Sequence, residues 1–246
     1  MHLSGKFKTL FFLFSLLSCV EPVTGREFSL AMSGSIPPYV IKDGNRGIFL
    51  DIMQEALALK GHSIGSFHYV TNKRMLALLN SGRVDAILNA PPIIQSGYPS
   101  MPLSYFENVL VSRADKGLEI RKILDLKDLR MIAFQNASSY LGESFKAMTQ
   151  RNERYSESTL QINQVRHLYL DRTDIILLDR RIFEYYRQAL SETMDVIAPV
   201  KIYRIFPKVP RTAVFLDSDI TNEFNDGLRQ LEASGRLKEI NEQYLN

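Results

Sequence analysis

The chain has 246 residues, of which 45% are hydrophobic and 23% charged, a composition ordinary for a globular protein. Its formal net charge is +3, and no dense basic stretch is interleaved with aromatic residues, so a nucleic-acid partner is not expected. The length suits either one large α/β domain or two lobes of about 100 residues each.

The first 25 residues are predicted to be a signal peptide rather than part of the fold. Lys6 and Lys8 precede an apolar run, 10–20, that is too short to span a bilayer, and small residues before and at Gly25 predict cleavage there. The alternative is a lipoprotein signal acylated at Cys19, and we favour soluble export because that anchor would leave only a short tether. Either way the mature chain has no disulfide, because Cys19 is the only cysteine. No later segment is long and apolar enough to be transmembrane.

The remaining chain predicts alternating strands and helices, which is typical of the α/β class. Strands are predicted at 27–32, 67–70, 84–88, 109–112, 131–134, 174–178, 203–206 and 213–216. Helices are predicted at about 50–60, from Arg74 to a stop at Gly82, and at about 141–150, 164–170, 181–190 and 220–245, the last interrupted at Ser234-Gly235. The polar segment 151–158 is predicted to be a solvated loop.

The stretch from Arg74 to Phe106 predicts a pocket. Its strand, 84–88, is a nearly continuous apolar run, as expected for a strand covered on both faces. Asn89 and the Pro91-Pro92 pair follow directly. Ligands of open parallel sheets bind just beyond the carboxyl ends of such strands.

One heptapeptide occurs twice in similar form. GRVDAIL at 82–88 is matched by DRTDIIL at 171–177, and both follow a short helical segment. Such a unit used twice, about 90 residues apart, suggests two similar lobes with a cleft between them, which is a preferred ligand site. We expect Asp85 and Asp174 to be structural, fixing the turn before each strand.

Taken in order, the motifs resemble the bacterial extracellular solute-binding proteins of family 3, the type II periplasmic binding proteins of polar amino-acid uptake. The matching stretches are Pro38-Tyr39, 47–57, 79–88, Tyr105-Phe106, 125–127, 135–139, 174–179 and 228–244. The resemblance implies an α/β fold of two lobes, each a mostly parallel sheet flanked by helices, joined by two crossing strands with the ligand cleft between them. It implies a first lobe at 26–110 with a return at 208–246, and a second lobe at 111–207.

The chain departs from this family at one position. Amino-acid binders of the family carry an arginine in the loop after the third strand, which pairs with the ligand's α-carboxylate. Here that position falls on Gln95, and a neutral amide cannot replace a guanidinium. The family's acid that receives the ligand's amino group falls on Asp179. We therefore expect standard amino acids to bind weakly unless Arg74 supplies the charge, while a ligand with an amine or hydroxyl fits the motif.

The second lobe contributes three candidate ligand-binding residues. Asp179 ends a buried strand and could accept hydrogen bonds from a ligand, or it could instead pair with Arg180 or Arg181 or cap the next helix. Ser138 and Ser139 stand at a strand-to-helix turn, whose backbone N–H groups and hydroxyls suit an anion or a carbonyl. Simple helix capping by a serine is the alternative there, and the two roles can coexist.

The first lobe contributes the other candidates. Tyr39 and Tyr105 flank the expected cleft and could stack on a ligand, although buried aromatics are more often core. Arg74 could supply a cation or could be a solvated surface residue. Asn89 and Gln95 follow the predicted strand at 84–88 and complete the set. The histidines show no metal-ligand spacing, so neither a metal nor another cofactor is expected.

These observations favour a non-catalytic, monomeric solute-binding protein exported to the periplasm. It would close on a small polar ligand, amino-acid-like or a derivative, and be read by an ABC-type permease. One alternative is an enzyme on the same scaffold, for example a dehydratase-like protein that uses Asp179 as acid or base. The other is a ligand-sensing module for a membrane receptor.

Overall fold

The computed structural model of the protein describes residues 25–90 and 96–244. The predicted signal peptide up to residue 24, with Cys19, and the candidate residue Gln95 lie outside the described residues. In chain order the elements are β1 (Glu27–Ser33), α1 (Ile48–Ala58), β2 (Ser63–Val70), α2 (Asn72–Asn80), β3 (Ala86–Leu88), β4 (Tyr98–Pro99), β5 (Ser104–Phe106), β6 (Asn108–Arg113), β7 (Met131–Phe134), α3 (Ala137–Tyr140), α4 (Glu143–Thr149), β8 (Tyr155–Ser158), α5 (Gln161–Tyr169), β9 (Ile175–Asp179), α6 (Arg180–Ser191), β10 (Val200–Tyr203), β11 (Val209–Arg211), β12 (Ala213–Phe215), α7 (Ser218–Ala233) and α8 (Arg236–Glu242). Within these described ranges, every helix is too short or too polar to cross a bilayer.

The first lobe is built on a sheet with the strand order β2-β1-β3-β12-β4. β1 pairs in parallel with β2 and β3, whereas β12 runs antiparallel to β3 and β4. Leu30 of β1 packs in one apolar cluster with Met53 of α1, and the next residue, Ala31, packs in another with Leu79 of α2. Because both faces are covered by helices, the strands are apolar at successive positions.

The second lobe is built on a sheet with the order β10-β6-β9-β7-β8. β7 lies parallel to both β8 and β9, while β6 is antiparallel to β9 and β10. Every residue of β9 is buried, and its alternate side chains enter two different apolar clusters. This double coverage is the reason that its sequence, IILLD, shows no polar alternation.

Two short antiparallel strands carry the chain between the sheets. β5 pairs with β11, with Phe106 opposite Val209 and Ser104 opposite Arg211. β5 leads directly into β6 of the second sheet, and β11 leads back into β12 of the first. The predicted lobe limits at 110 and 207 lie close to this crossing pair and stay a prediction.

All the predicted helices are present, with ends shifted by a few residues, but one loop prediction and one strand prediction are wrong. The segment 151–158 is not a loop throughout, because its second half forms β8 beside β7. β8 is an edge strand whose side chains are largely in water, so its polar composition hid it. The strand expected at 203–206 lies instead at β10, and Phe206 packs against the apolar cluster of the second lobe.

The aspartates of the repeated heptapeptide hold the strands that follow them, which confirms their structural role. Asp85 accepts hydrogen bonds from the backbone N–H of Ser29 at 2.8 Å and from its hydroxyl at 2.6 Å. Asp174 accepts the backbone N–H of Arg130 at 2.9 Å and pairs with its guanidinium at 2.6 Å. The pKa of Asp174 is lowered mainly by these hydrogen bonds from Arg130. Each lobe thus ties its strands together with the same device.

Candidate functional site

A cavity of about 220 Å³ lies between the two sheets, at the carboxyl ends of their parallel strands. In the first lobe Ser33 ends β1 and Asn89 follows β3, and in the second lobe Phe134 ends β7 and Asp179 ends β9. Arg211 of the crossing strand β11 also lines the cavity. Ligands of open α/β sheets bind at this position, beyond the carboxyl edge of the strands.

Asp179 is 2% exposed and is already satisfied by the protein. Its Oδ1 accepts the hydroxyl of Tyr39 at 2.8 Å and the backbone N–H groups of Arg181 and Ile182 at 3.0 and 3.2 Å. Its Oδ2 accepts the backbone N–H of Glu107 at 2.7 Å. The two helical amides make it the N-cap of α6, which confirms the capping alternative. Burial raises the pKa of Asp179, and these hydrogen bonds offset that rise only in part.

The neighbouring arginines do not pair with the Asp179 carboxylate among the described residues. Arg180 pairs with Glu107 at 3.1 Å, and the guanidinium of Arg181 donates to the hydroxyl of Ser104 at 2.9 Å. Three of the hydrogen bonds to Asp179 reach Oδ1 and one reaches Oδ2, so both oxygens already have a donor from the protein. A direct ligand role for Asp179 therefore stays a prediction.

Tyr39 connects the first lobe to β9 of the second. Its hydroxyl donates to Asp179, and its ring lies 4.6 Å, between centroids, from both Phe49 and Phe106. The side chain is fully buried, and burial raises the pKa of its hydroxyl. Tyr39 is thus a core aromatic, and a stacking contact with a ligand stays a prediction.

We expect Tyr39→Phe to lower the free energy of unfolding by about 1–2 kcal/mol. The change keeps the ring packing but removes the hydroxyl that satisfies one side of a buried carboxylate. Urea unfolding measures the loss. Tyr105→Phe is the matched control, because Tyr105 is 52% exposed and should change stability by less than about 0.5 kcal/mol. Equal losses in the two variants would contradict the role of the Tyr39–Asp179 bond.

Two residues of the cavity lining each have a polar atom that is enclosed by the protein and lacks a hydrogen-bond partner among residues 25–90 and 96–244. One is Oδ1 of Asn89, an acceptor, and the other is Nε of Arg211, a donor. Buried polar groups are nearly always hydrogen-bonded, so such a pair in one cavity is informative. Asn89 was predicted from its place after β3, whereas Arg211 was missed. The signal for Arg211 in the sequence was a cation two positions before the apolar run 213–216.

The turn at Ser138 holds an anion, as its backbone chemistry predicts, but that anion belongs to the protein. Glu157 of β8 accepts the backbone N–H of Ser138 at 2.9 Å, its hydroxyl at 2.8 Å, and the backbone N–H of Asn136 at 2.5 Å. The hydroxyl of Tyr155 donates to the same carboxylate at 2.7 Å. Ser139 is exposed, and its N–H bonds to the carbonyl of Asn136. Ligand contact by Ser138 and Ser139 stays a prediction, and for Ser138 it requires Glu157 to move.

Glu157→Gln should loosen the turn that carries α3. Partial burial pushes the pKa of Glu157 up, but the hydrogen bonds from Ser138, Tyr155 and Asn136 outweigh it and leave the pKa lowered. A lowered pKa stabilises the fold above the unfolded pKa of about 4.3, and this contribution is lost as the pH falls through the folded value. Because Glu157 is exposed, we expect a loss of only about 1 kcal/mol for the variant at neutral pH.

Hydrogen exchange of residues 136–140 measures this effect. Wild type should lose protection there as the pH drops below about 4, whereas the variant should show low protection at both pH values. Identical protection in the two proteins at pH 7 would contradict the role of Glu157.

The remaining candidates do not meet at the cavity. Tyr105 lines a second cavity of about 180 Å³ together with Arg180 and Lys208. Arg74 is exposed in the first turns of α2 and is not part of the lining. Gln95 lies outside the described residues, so its ligand role stays a prediction. In the described part of the chain, no group of three or more histidine, cysteine, aspartate or glutamate side chains is arranged to hold a metal.

No protein-family model matches the chain, and no curated protein matches it either. Solved structures do match. An ancestral cationic amino acid solute-binding protein is 16% identical with a TM-score of 0.70, covering 89% of this chain and 96% of its own. The L-cystine solute receptor of Neisseria gonorrhoeae, unliganded and open, is 24% identical with a TM-score of 0.64, covering 91% and 94%. A histidine kinase sensor domain with similarity to periplasmic binding proteins is 16% identical with a TM-score of 0.67, covering 89% and 96%. At these identities the likeness shows the fold, which is the two-lobed type II periplasmic-binding-protein fold.

Proposed function

We propose that the protein is an exported solute-binding protein that captures a small polar ligand between its lobes for an ABC-type importer. The observation that carries this proposal is the cavity at the crossing strands, because both lobes and the strands between them line it. Its volume of about 220 Å³ is smaller than the roughly 300–1,000 Å³ typical of pockets for drug-sized ligands, so it suits a small metabolite.

The ligand is amino-acid-like or a derivative of an amino acid. Two of the similar structures are a cationic amino acid solute-binding protein and an L-cystine solute receptor. Asn89 and Arg211 both line the cavity, and each has an enclosed polar atom without a partner among the described residues, an acceptor on Asn89 and a donor on Arg211. A ligand with one donor group and one acceptor group would satisfy both if the two side chains turned toward it.

Closure of the lobes on the ligand is the functional step. The crossing strands β5 and β11 are short, so a small change in their backbone angles swings one sheet relative to the other. A ligand held by both lobes favours the closed form by its difference in affinity for the two forms. In this proposal the protein acts as a monomer in the periplasm, and a permease recognises its closed surface.

A second candidate function is sensing, favoured by the likeness to a histidine kinase sensor domain. The ligand site would be the same, but a membrane receptor would recognise the closed form. An enzyme that uses Asp179 as acid or base is disfavoured, because that carboxylate is 2% exposed and both of its oxygens bond to the protein, Oδ1 as the N-cap of α6 and Oδ2 to the backbone of Glu107.

Native mass spectrometry of the purified protein tests the proposal. We expect a fraction of the protein to carry one small molecule, which is released chemically unchanged when the protein is denatured. Conversion of the released molecule by fresh protein would identify an enzyme instead. Failure to find any bound molecule, together with no binding to a panel of amino acids, would contradict the proposed function.

A further inference from the structure

Arg211 is a partly buried cation whose Nε has no partner in the described part of the chain. Its guanidinium carbon lies 4.1 Å from the centroid of the Phe106 ring, and its Nε is buried with no hydrogen-bond partner among residues 25–90 and 96–244. Within the same residues no carboxylate lies within 4.0 Å of it, although every other arginine discussed above except Arg74 has a polar partner. A desolvated cation of this kind costs free energy unless something else satisfies it.

The position of Arg211 points the unsatisfied charge at the ligand cavity. Arg211 ends β11, opposite Ser104 of β5, and its side chain is part of the cavity lining. Phe106, on the same strand as Ser104, provides the ring beneath the guanidinium and also lines the cavity. Stacking on an aromatic face fixes the plane of a guanidinium and leaves its edge free for two parallel hydrogen bonds.

Asp179 does not pair with Arg211 in the structure. Asp179 lines the same cavity and favours the charged form of Arg211 through space, but all its hydrogen bonds come from Tyr39 and three backbone N–H groups. Desolvation dominates over this attraction and lowers the pKa of Arg211. The cavity therefore contains a cation that a ligand anion would relieve.

Asn89 supplies the complementary group from the first lobe. Its backbone is in the left-handed region, with φ of 56°, which asparagine tolerates better than most residues. Its Oδ1 is the buried acceptor without a partner among the described residues. A ligand that satisfied both lining residues would carry an anionic group at one end and a hydrogen-bond donor at the other, with the enclosed Nε and Oδ1 turning toward the cavity to meet it.

Resting on the proposed function, we propose that Arg211 binds the carboxylate of the ligand, while Asn89 accepts a hydrogen bond from its amino or hydroxyl group. The ligand class is thus a small carboxylic acid with a donor group, such as an α-amino acid. The guanidinium that the Gln95 position lacks is supplied from the crossing strand β11 instead. Because β11 joins the lobes, the carboxylate site belongs to the hinge rather than to either lobe alone.

The test compares amino acids with their decarboxylated counterparts on the wild-type protein. The twenty standard L-amino acids and L-cystine are screened by calorimetric titration, and the tightest binder is then compared with the amine that lacks its carboxylate, for example agmatine for L-arginine or cystamine for L-cystine. We expect the amine to bind about ten- to a hundredfold more weakly, because a bidentate charged contact is lost. This comparison needs no mutation, so it does not depend on how a variant folds.

Variants then locate the contact. Arg211→Gln should weaken binding of the amino acid about ten- to a hundredfold and leave the affinity for the amine nearly unchanged. Arg211→Lys should recover part of the lost affinity for the amino acid. Arg204→Gln is the matched control, since Arg204 precedes the same crossing strand but pairs with Glu107 outside the cavity lining. It should bind the amino acid like wild type.

The outcomes separate the two proposals. Equal affinity of wild type for the amino acid and its amine, or full affinity in Arg211→Gln, would overturn the role of Arg211 while leaving the solute-binding function in place. Binding of none of the amino acids would overturn both the carboxylate site and the proposed function in its amino-acid form.

Discussion

Asp179→Ala is expected to lower the free energy of unfolding by about 4 kcal/mol. The substitution leaves a buried tyrosine hydroxyl and three backbone N–H groups without their acceptor, and each such buried group costs about 1–3 kcal/mol, partly relieved by water and relaxation. For a protein of this size, that loss lowers the melting temperature by roughly 10 °C. Differential scanning calorimetry and urea unfolding measure it.

Asp217→Ala is the matched control for this prediction. Asp217 caps α7 through the backbone N–H groups of Asp219 and Ile220, but it is exposed and holds no tyrosine. Its loss should be near 1 kcal/mol, as is usual for an N-cap. If the two variants were destabilised equally, the links of Asp179 to Tyr39 and Glu107 would contribute nothing beyond capping.

The expected loss of stability for Asp179→Asn depends on both oxygens of the carboxylate. If capping of α6 were its only role, an isosteric amide that keeps one acceptor would cost little. In the structure both carboxylate oxygens accept hydrogen bonds, so the amide nitrogen must face either the Glu107 N–H or the donors on the other side. We therefore expect Asp179→Asn to cost about 2 kcal/mol, between wild type and alanine.

Gly47→Ala is expected to cost about 3 kcal/mol or more. Gly47 has φ of 119°, and a Cβ there would lie 2.7 Å from the carbonyl oxygen of Tyr39 and 2.9 Å from that of Pro38. Those carbonyls accept the N–H groups that begin α1, so the clash cannot be relieved without moving Tyr39. Backbone strain and overpacking each contribute about 1–3 kcal/mol.

Gly82→Ala provides the comparison, because Gly82 also has a positive φ, 65°, but a Cβ there would meet nothing within 4 Å. Strain alone should cost about 1–2 kcal/mol at that position. Guanidinium unfolding of both variants distinguishes strain from collision. A Gly47→Ala variant as stable as Gly82→Ala would mean that Tyr39 is not held by this contact.

How much the sequence could predict depended on whether an element is covered on both faces. β3 and β9 are short buried runs, and their apolar sequence identified them directly. β8 and β10 are edge strands whose residues are partly or largely exposed, so their sequences contain no such run. β8 was therefore predicted to be a loop, and the strand β10 was predicted a few residues too late. The helices were found because their apolar residues recur at helical spacing.

Some residues of the candidate site could be predicted from local sequence, and others could not. Asn89 and Asp179 follow or end predicted strands, so the position of each at the carboxyl edge of its own sheet could be predicted from local pattern. Arg211 depends on the pairing of β5 with β11, strands about 100 residues apart, and no local pattern encodes that pairing. The occupation of the Ser138 turn by Glu157 was hidden for a related reason, since Glu157 lies on the strand that was predicted to be a loop.

A crystal structure of the protein with its co-purified molecule, or with its tightest-binding amino acid, would show whether Arg211 and Asn89 hold the ligand. We expect density for one ligand in the cavity between the sheets, with a carboxylate about 3 Å from the Arg211 guanidinium and a donor about 3 Å from Asn89 Oδ1. A ligand bound elsewhere on the protein, or a cavity that contains only water at saturating ligand, would contradict it.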